Sequence, residues 1–274
     1  MAVESYNEIL QTMIHNYTDG SSWYFRRGID LIESSNEIPI DKLLEDLLSI
    51  RPGMGSLNNI SDALKKSSDL GMKRIQIAES LRSYLERSRS SLHENFMKLE
   101  NVATVLTISR SSEVLNMVNV IKPVKVYLME SRPGNESEKF MNELGKLTDV
   151  EMIEDATIGQ YVAESDLILT GSDGFYSDGF FTNKVGTLSL LLTAEYMKKP
   201  VFVVSSSYKF SSMKSIDQSM FRTTIHGTSR DVNLFEMVPV EKIRTLVTDA
   251  GIFRHPSVDT VLTVNERFIE ECLA

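Results

Sequence analysis

The sequence predicts an α/β protein: an N-terminal helical domain over residues 1–100, followed by a mainly parallel sheet domain over residues 101–274. Two observations carry this. In the first hundred positions apolar residues recur at helical spacing, and strand patterning is almost absent. From Asn101 onward, short β-branched runs alternate with helical segments of about ten residues, the pattern of a parallel sheet covered on both faces.

The elements follow in order. Tyr6, Ile9, Leu10 and Met13 mark a first helix, and residues 22–32, with Trp23, Tyr24 and Phe25, a second. Pro39 suits the start of a helix over 40–50, which Arg51-Pro52-Gly53 stops. Helices over 57–70 and 72–99 complete the first region; Ile77, Leu81, Leu85, Leu92 and Phe96 fall on one face of the latter. Strand, helix and strand then alternate: 102–108, 111–120, 124–129, 137–147, 150–153 and 158–163. A strand at 167–169, a polar loop, a helix at 188–197 and a strand at 201–204 form a βαβ unit, with Asp173, Asp178, Asn183 and Lys184 in its loop. Residues 205–229, rich in Ser and Thr, read as a mobile loop. Extended segments at 233–238 and 243–248 and a helix over 256–272 close the chain.

Composition narrows the function classes. The net charge is −9 with no basic block, which disfavours a broad face for direct nucleic-acid binding. A single cysteine, Cys272, excludes a disulfide framework and a thiolate metal cluster within one chain. The four histidines lack ligand spacing, so no metal is expected, and no fingerprint for a dinucleotide cofactor follows any strand. No apolar run approaches the ~20 residues of a membrane helix. The first residues lack a basic segment leading into an apolar core, so no signal peptide is expected and a reducing cytoplasm fits. Gly179-Phe-Phe-Thr-Asn-Lys-Val-Gly-Thr is not a Walker loop, because its lysine precedes the Gly-Thr pair.

What remains is a set of polar turns at strand ends, where open α/β sheets bind ligands. Ser109-Arg110-Ser111-Ser112 offers hydroxyls at a helix start, an anion site or simply a serine cap. Arg132 could clamp a phosphate or pair with an acid. Asp173 could be chemistry or an ordinary turn residue beside Gly174, and Lys184 could be a solvated lysine. Jointly these turns favour a small ligand bearing phosphate.

The motifs resemble those of the regulatory α, β and δ subunits of translation initiation factor 2B. They are also similar to those of methylthioribose-1-phosphate and ribose-1,5-bisphosphate isomerases. The resemblance spans nearly the whole chain and includes Arg27-Gly28-Ile29, Arg51-Pro-Gly-Met-Gly-Ser-Leu57, Glu130-Ser-Arg-Pro133, Gly171-Ser-Asp-Gly174 and Asn183-Lys-Val-Gly-Thr187. It implies a Rossmann-like second domain, dimerisation through that domain and a ligand held between the domains. Carried over by position, Arg27, Gly28, Arg51, Arg132, Asn183, Lys184 and Lys209 fall on ligand contacts, and Asp173 on the catalytic acid. Arg110 and Ser111 join them as anion-site candidates. The isomerases' Thr-His-Cys falls on Thr107-Ile108-Ser109, so the catalytic thiol is a hydroxyl here. Glu136 falls near a glutamine of the methylthioribose-phosphate isomerases and brings an unhelpful negative charge. A serine needs an adjacent base to act, and neither Ile108 nor Arg110 is one. The expectation is a regulatory protein that binds a sugar phosphate or nucleotide without isomerising it, acting on a protein such as an initiation factor 2 subunit. An aldose–ketose isomerase and a purely structural scaffold are the alternatives.

Overall fold

The computed structural model describes residues 4–16, 19–96, 102–134, 136–216, 220–225 and 228–274, with the backbone alone over 220–225 and 228–231. Five helices come first: α1 (Tyr6–His15), α2 (Ser21–Glu33), α3 (Ile40–Ile50), α4 (Gly55–Asp69) and α5 (Arg74–Phe96). Ser5 and Glu8 close a capping box at the start of α1. The α/β part then runs β1 (Thr104–Thr107), α6 (Ser112–Ile121), β2 (Lys125–Met129), α7 (Glu136–Leu144), β3 (Asp149–Ile153), α8 (Ile158–Glu164) and β4 (Leu167–Thr170). It continues with β5 (Gly174–Tyr176), β6 (Phe180–Lys184), α9 (Thr187–Tyr196), β7 (Val201–Val204), β8 (Phe210–Ser211), β9 (Met220–Ile225) and β10 (Thr228–Asn233). The chain closes with β11 (Phe235–Pro239), β12 (Thr245–Thr248), β13 (Gly251–Arg254) and α10 (Val258–Leu273).

The main sheet has the order β13-β12-β7-β4-β1-β2-β3, parallel throughout except for β13 at one edge. Strand order runs outward from β1 in one direction through β2 and β3, and in the other from β4. The crevice beyond the carboxyl ends of β1 and β4 is therefore the topological switch point, where such sheets place ligands. All four residues of β4 are buried, as a strand covered on both faces requires.

The helical layer is tied to the sheet layer by side chains at the same edge. Asn59 of α4 donates to the Tyr208 carbonyl at 2.9 Å, and Asn265 of α10 donates to Asn59 Oδ1 and the Phe210 carbonyl, each at 2.8 Å. The Tyr208 ring stacks on Phe25 of α2 at 4.2 Å. The core of the helical region thus takes in Tyr208 together with Phe268, Ile269 and the buried Cys272 of α10.

Two expectations need correction, and two elements go beyond the sequence reading. The polar loop after β4 is not a loop: β5 and β6 pair antiparallel within a small sheet ordered β11-β6-β5-β8. The aromatic residues there drive it, since Phe175 stacks on Phe181 at 5.2 Å and on Phe210 at 4.3 Å. Its glycines and aspartates mark the turns between short strands rather than one long turn. The extended segment near 233–238 is β11, which joins this small sheet and not the main one. The segment 205–229 is not loose at its start, because residues 205–211 are all buried and Ser205 accepts from Ser172 at 2.8 Å. It also contains part of the β9–β10 hairpin, while residues 217–219 and 226–227 lie outside the described residues. Finally, β13 was not anticipated; it folds back on β12 as an antiparallel edge. Residues 97–101, and with them the expected boundary between the two regions, lie outside the described residues.

Candidate functional site

The first βα turn sets the geometry of the crevice. Ser109, two residues beyond β1, has φ of 61°, which turns the chain into α6, and its amide donates to Ser131 Oγ at 2.7 Å. Ser111 caps α6 by accepting from the Val114 amide at 3.3 Å. This cap approaches the end of β4 so closely that a Cβ at Gly171 would lie 2.4 Å from Ser111 Oγ. Only glycine allows the two strand ends to meet there.

The pocket above these ends is small, with a cavity of about 90 Å³. It is lined by Ser109, Arg110, Ser111, Asp173, Asn183 and Lys209, together with the start of α2 from Gly20 to Trp23 and by Arg26. Six residues nominated from the sequence therefore converge.

Their charges are matched internally. Lys209, 3% exposed, holds Glu113 Oε1 at 2.8 Å and donates to the Ser172 carbonyl at 2.8 Å. Glu113 is 4% exposed, and its carboxylate also accepts from Ser22, Ser111 and Ser112. Although burial opposes the charge, the Lys209 ammonium and these donors hold the Glu113 carboxyl down at about 2. Lys184, 1% exposed, holds Glu136 Oε1 at 2.8 Å and donates to the Pro133 carbonyl at 2.5 Å. Arg110 grips Glu143 through Nε and a terminal nitrogen, both at 2.9 Å, with Asp19 at 3.7 Å. Asn183 is fixed by Thr170 and Thr187, each accepting at 2.9 Å.

Asp173 is half-buried, and its carboxyl is pushed up to about 6. Loss of water around it is the main cause, opposed by Lys209 and reinforced by the charges of Glu113 and Glu136. Ser109 corrects the sequence reading that left it without a base, because its hydroxyl donates to Glu136 Oε1 at 3.0 Å. That same oxygen also takes the Lys184 ammonium. The lone pairs of that oxygen are thus shared between the Ser109 hydroxyl and the Lys184 ammonium.

The other nominated residues lie elsewhere. Arg27 turns to Glu4 and Asp30, both at 2.9 Å, while its neighbour Arg26 lines the pocket. Gly28 is a packing glycine, since a Cβ there would sit 2.6 Å from Ile60 Cδ1. Arg51 caps the end of α3, donating to the Tyr24 hydroxyl at 3.0 Å and lying over that ring. Arg132 is half-exposed, donates to the Gly134 carbonyl at 3.3 Å and lies 3.7 Å from Glu130.

Sequence reasoning missed Glu113 and Ser22. Glu113 reads as an ordinary acid in the first turn of a helix. The available signal was its place in the first turn opened by a serine cap at a strand end, two residues after the nominated Ser111.

Comparison with known proteins follows the same outline. A model of the Initiation factor 2 subunit family matches residues 8–255. A Pyrococcus horikoshii protein named for its likeness to translation initiation factor eIF-2B subunit 2 is 30% identical over 272 residues, covering 93% of this chain and 99% of its own. A ribose 1,5-bisphosphate isomerase of Methanocaldococcus jannaschii is 23% identical over 230 residues, covering 75% of this chain and 74% of its own. The crystal structure of translation initiation factor eIF-2B from Pyrococcus horikoshii superposes with a TM-score of 0.79 at 27% identity, over 92% of this chain and 97% of that one.

Proposed function

Since this chain belongs to the Initiation factor 2 subunit family, we propose that it is a regulatory, initiation-factor-2B-like member that lacks isomerase activity and signals through protein contacts. The observation that carries this is the state of the proton-transfer position. Ser109 stands there in place of a thiol, and the carboxylate beside it shares one oxygen with Lys184. A thiol of reference pKa about 8.5 can be tuned to work near neutrality, whereas an alcohol needs a free base.

The ligand of the sheet-edge pocket is a phosphorylated small molecule such as a sugar phosphate or nucleotide. Lys184 and Lys209 are the cations that would receive its phosphate, and both are neutralised by Glu136 and Glu113. The 90 Å³ cavity is also below the ~300 Å³ at which small-molecule sites begin. Binding therefore requires a carboxylate to swing away, with Glu136 the easier to move because it is the less buried of the two. The protein partner is an initiation factor 2 subunit, to which an acidic chain of net charge −9 is better suited than to RNA. A homodimer in the cytoplasm completes the proposal, with the chain dividing near residue 100 into a helical and a Rossmann-like domain.

Isomerisation is the alternative, favoured by one specific feature. Asp173, at about 6, can give and take a proton near neutrality, and Glu136 accepts from the Ser109 hydroxyl that lines the same pocket. An assay with ribose 1,5-bisphosphate and methylthioribose 1-phosphate separates the two. No turnover above background is expected; turnover that disappears in Asp173→Asn, with the fold intact, assigns the chain to the isomerases.

A further inference from the structure

A larger cavity, about 550 Å³, lies between α5 and α6 beside the sheet-edge pocket. Its volume is that of ordinary small-molecule sites. Leu85, Leu92 and Met117 are the apolar residues that line it, 9%, 3% and 1% exposed. The rim carries Arg26 from α2 and Arg89 and His93 from α5, opposite Asn116 and Asn119 of α6.

These basic groups differ from those of the sheet-edge pocket. Among the described residues, Arg26, Arg89 and His93 have neither an ion pair nor a hydrogen-bond partner. Two acids also line the cavity. Glu113 is matched by Lys209 at 2.8 Å, which leaves Glu94 as the one acid opposing two guanidinium groups. Ser22, Arg26, Ser112 and Glu113 line both cavities, so the Glu113 hydrogen-bond cluster is the wall between them.

We propose that this groove is a second ligand site, for a small phosphate monoester with a flat, weakly polar body. Unpaired guanidinium forks match the oxygens of a phosphate and lose little on binding it, since no internal partner has to be displaced. The asparagine amides can donate to the same oxygens or meet polar edges of the body. The floor of Leu85, Leu92 and Met117 takes the flat part out of water. A purely apolar ligand would bury the guanidinium groups without a partner, and bare phosphate would leave the floor wet.

The test is isothermal titration calorimetry on the full chain with phenyl phosphate and inorganic phosphate as probes. Phenyl phosphate is expected to bind at least about tenfold more tightly than inorganic phosphate. Arg89→Glu and Asn116→Asp, both at exposed helix positions, should each weaken it by about tenfold or more, with circular dichroism unchanged. Ser109→Ala, which alters only the sheet-edge pocket, should leave the affinity as it is. Absence of binding at millimolar phenyl phosphate, equal affinity for the two probes, or indifference to Arg89→Glu overturns the proposal. Loss of binding in Ser109→Ala also overturns it, by placing the ligand at the sheet edge.

Discussion

Two carboxyls of the sheet-edge pocket respond to pH in opposite senses. Glu113 sits well below the usual carboxylate range, at about 2, because Lys209 and several hydroxyls hold its charge. Its contribution to stability is present above the unfolded value near 4.5 and fades as pH falls toward 2. Replacing it by Gln strands the Lys209 ammonium in a site that is 3% exposed. Glu113→Gln should therefore cost about 3–5 kcal/mol at pH 7, read by urea unfolding, and the gap from wild type should narrow at low pH. Asp173 is raised to about 6, so the folded state prefers its protonated form. The stability it lends is complete below the unfolded value near 3.8 and is lost as pH climbs through 6. Asp173→Asn should consequently raise the melting temperature at pH 7, by about 1–2 kcal/mol of stability after screening, and give no gain at pH 4. An unaltered pH profile in this variant would show that the carboxyl is freely solvated. Glu136 supplies the third expectation at this scale. Glu136→Gln removes the anion that occupies Lys184 and should tighten binding of ribose 5-phosphate at the sheet edge by about tenfold in a thermal-shift titration.

At the scale of elements, the meeting of β1, α6 and β4 decides where ligands can go. Gly171 and Gly28 both stand close to a neighbour, yet their substitution should differ in cost. A Cβ at Gly171 would lie 2.4 Å from Ser111 Oγ and 2.8 Å from its Cβ, and Ser111 is anchored as the cap of α6. A Cβ at Gly28 meets only the tip of Ile60, at 2.6 Å, which can rotate away. Gly171→Ala should cost about 1–3 kcal/mol and loosen the pocket, whereas Gly28→Ala should cost less, as thermal melts of the two variants will show. The element pattern was largely legible because burial leaves a period in the sequence. Ile40–Ile50 is bounded by proline on both sides, and Val201–Val204 is an apolar run between turns. What escaped was short or misleading in composition. Gly174–Tyr176 and Phe180–Lys184 belong to a sheet whose aromatic stack runs on from Phe175 to Phe210, a contact that no local window contains. Ser205 and Ser206 look like loop residues, but they are buried where their hydroxyls find Ser172 and Glu113. In the site, the convergence of Asp173 and Asn183 could be read from strand ends, whereas Lys209 came from the family resemblance alone and Lys184 does not line the pocket. The pairing of each lysine with a carboxylate distant in sequence could not, because Lys209 meets Glu113 and Lys184 meets Glu136 only through the fold.

For the whole molecule, the remaining question is which surface a second copy would use. The sheet layer leaves large apolar side chains on the outer side of α9 and the adjoining β11: Tyr196 is 86% exposed, Leu192 43% and Met237 44%. Scattered apolar residues are ordinary on a monomer, but these three lie on two packed elements. The helix α9, which carries the first two, also exposes Ser189 and Glu195 on that side, while Leu190, Leu191 and Ala194 fill the core below. A two-fold axis over α9 would bury the patch against itself, as isologous dimers do. The acidic net charge of −9 opposes self-association, so such a dimer must be apolar at its centre and should tighten in salt. Tyr196→Asp places a like charge from each copy at that centre without touching any buried residue. Sedimentation equilibrium should find wild type as a dimer and the variant shifted toward monomer by at least about tenfold in dissociation constant. If Tyr196→Asp leaves the dimer intact, α9 lies outside the interface and its exposed face is free to meet a protein partner instead.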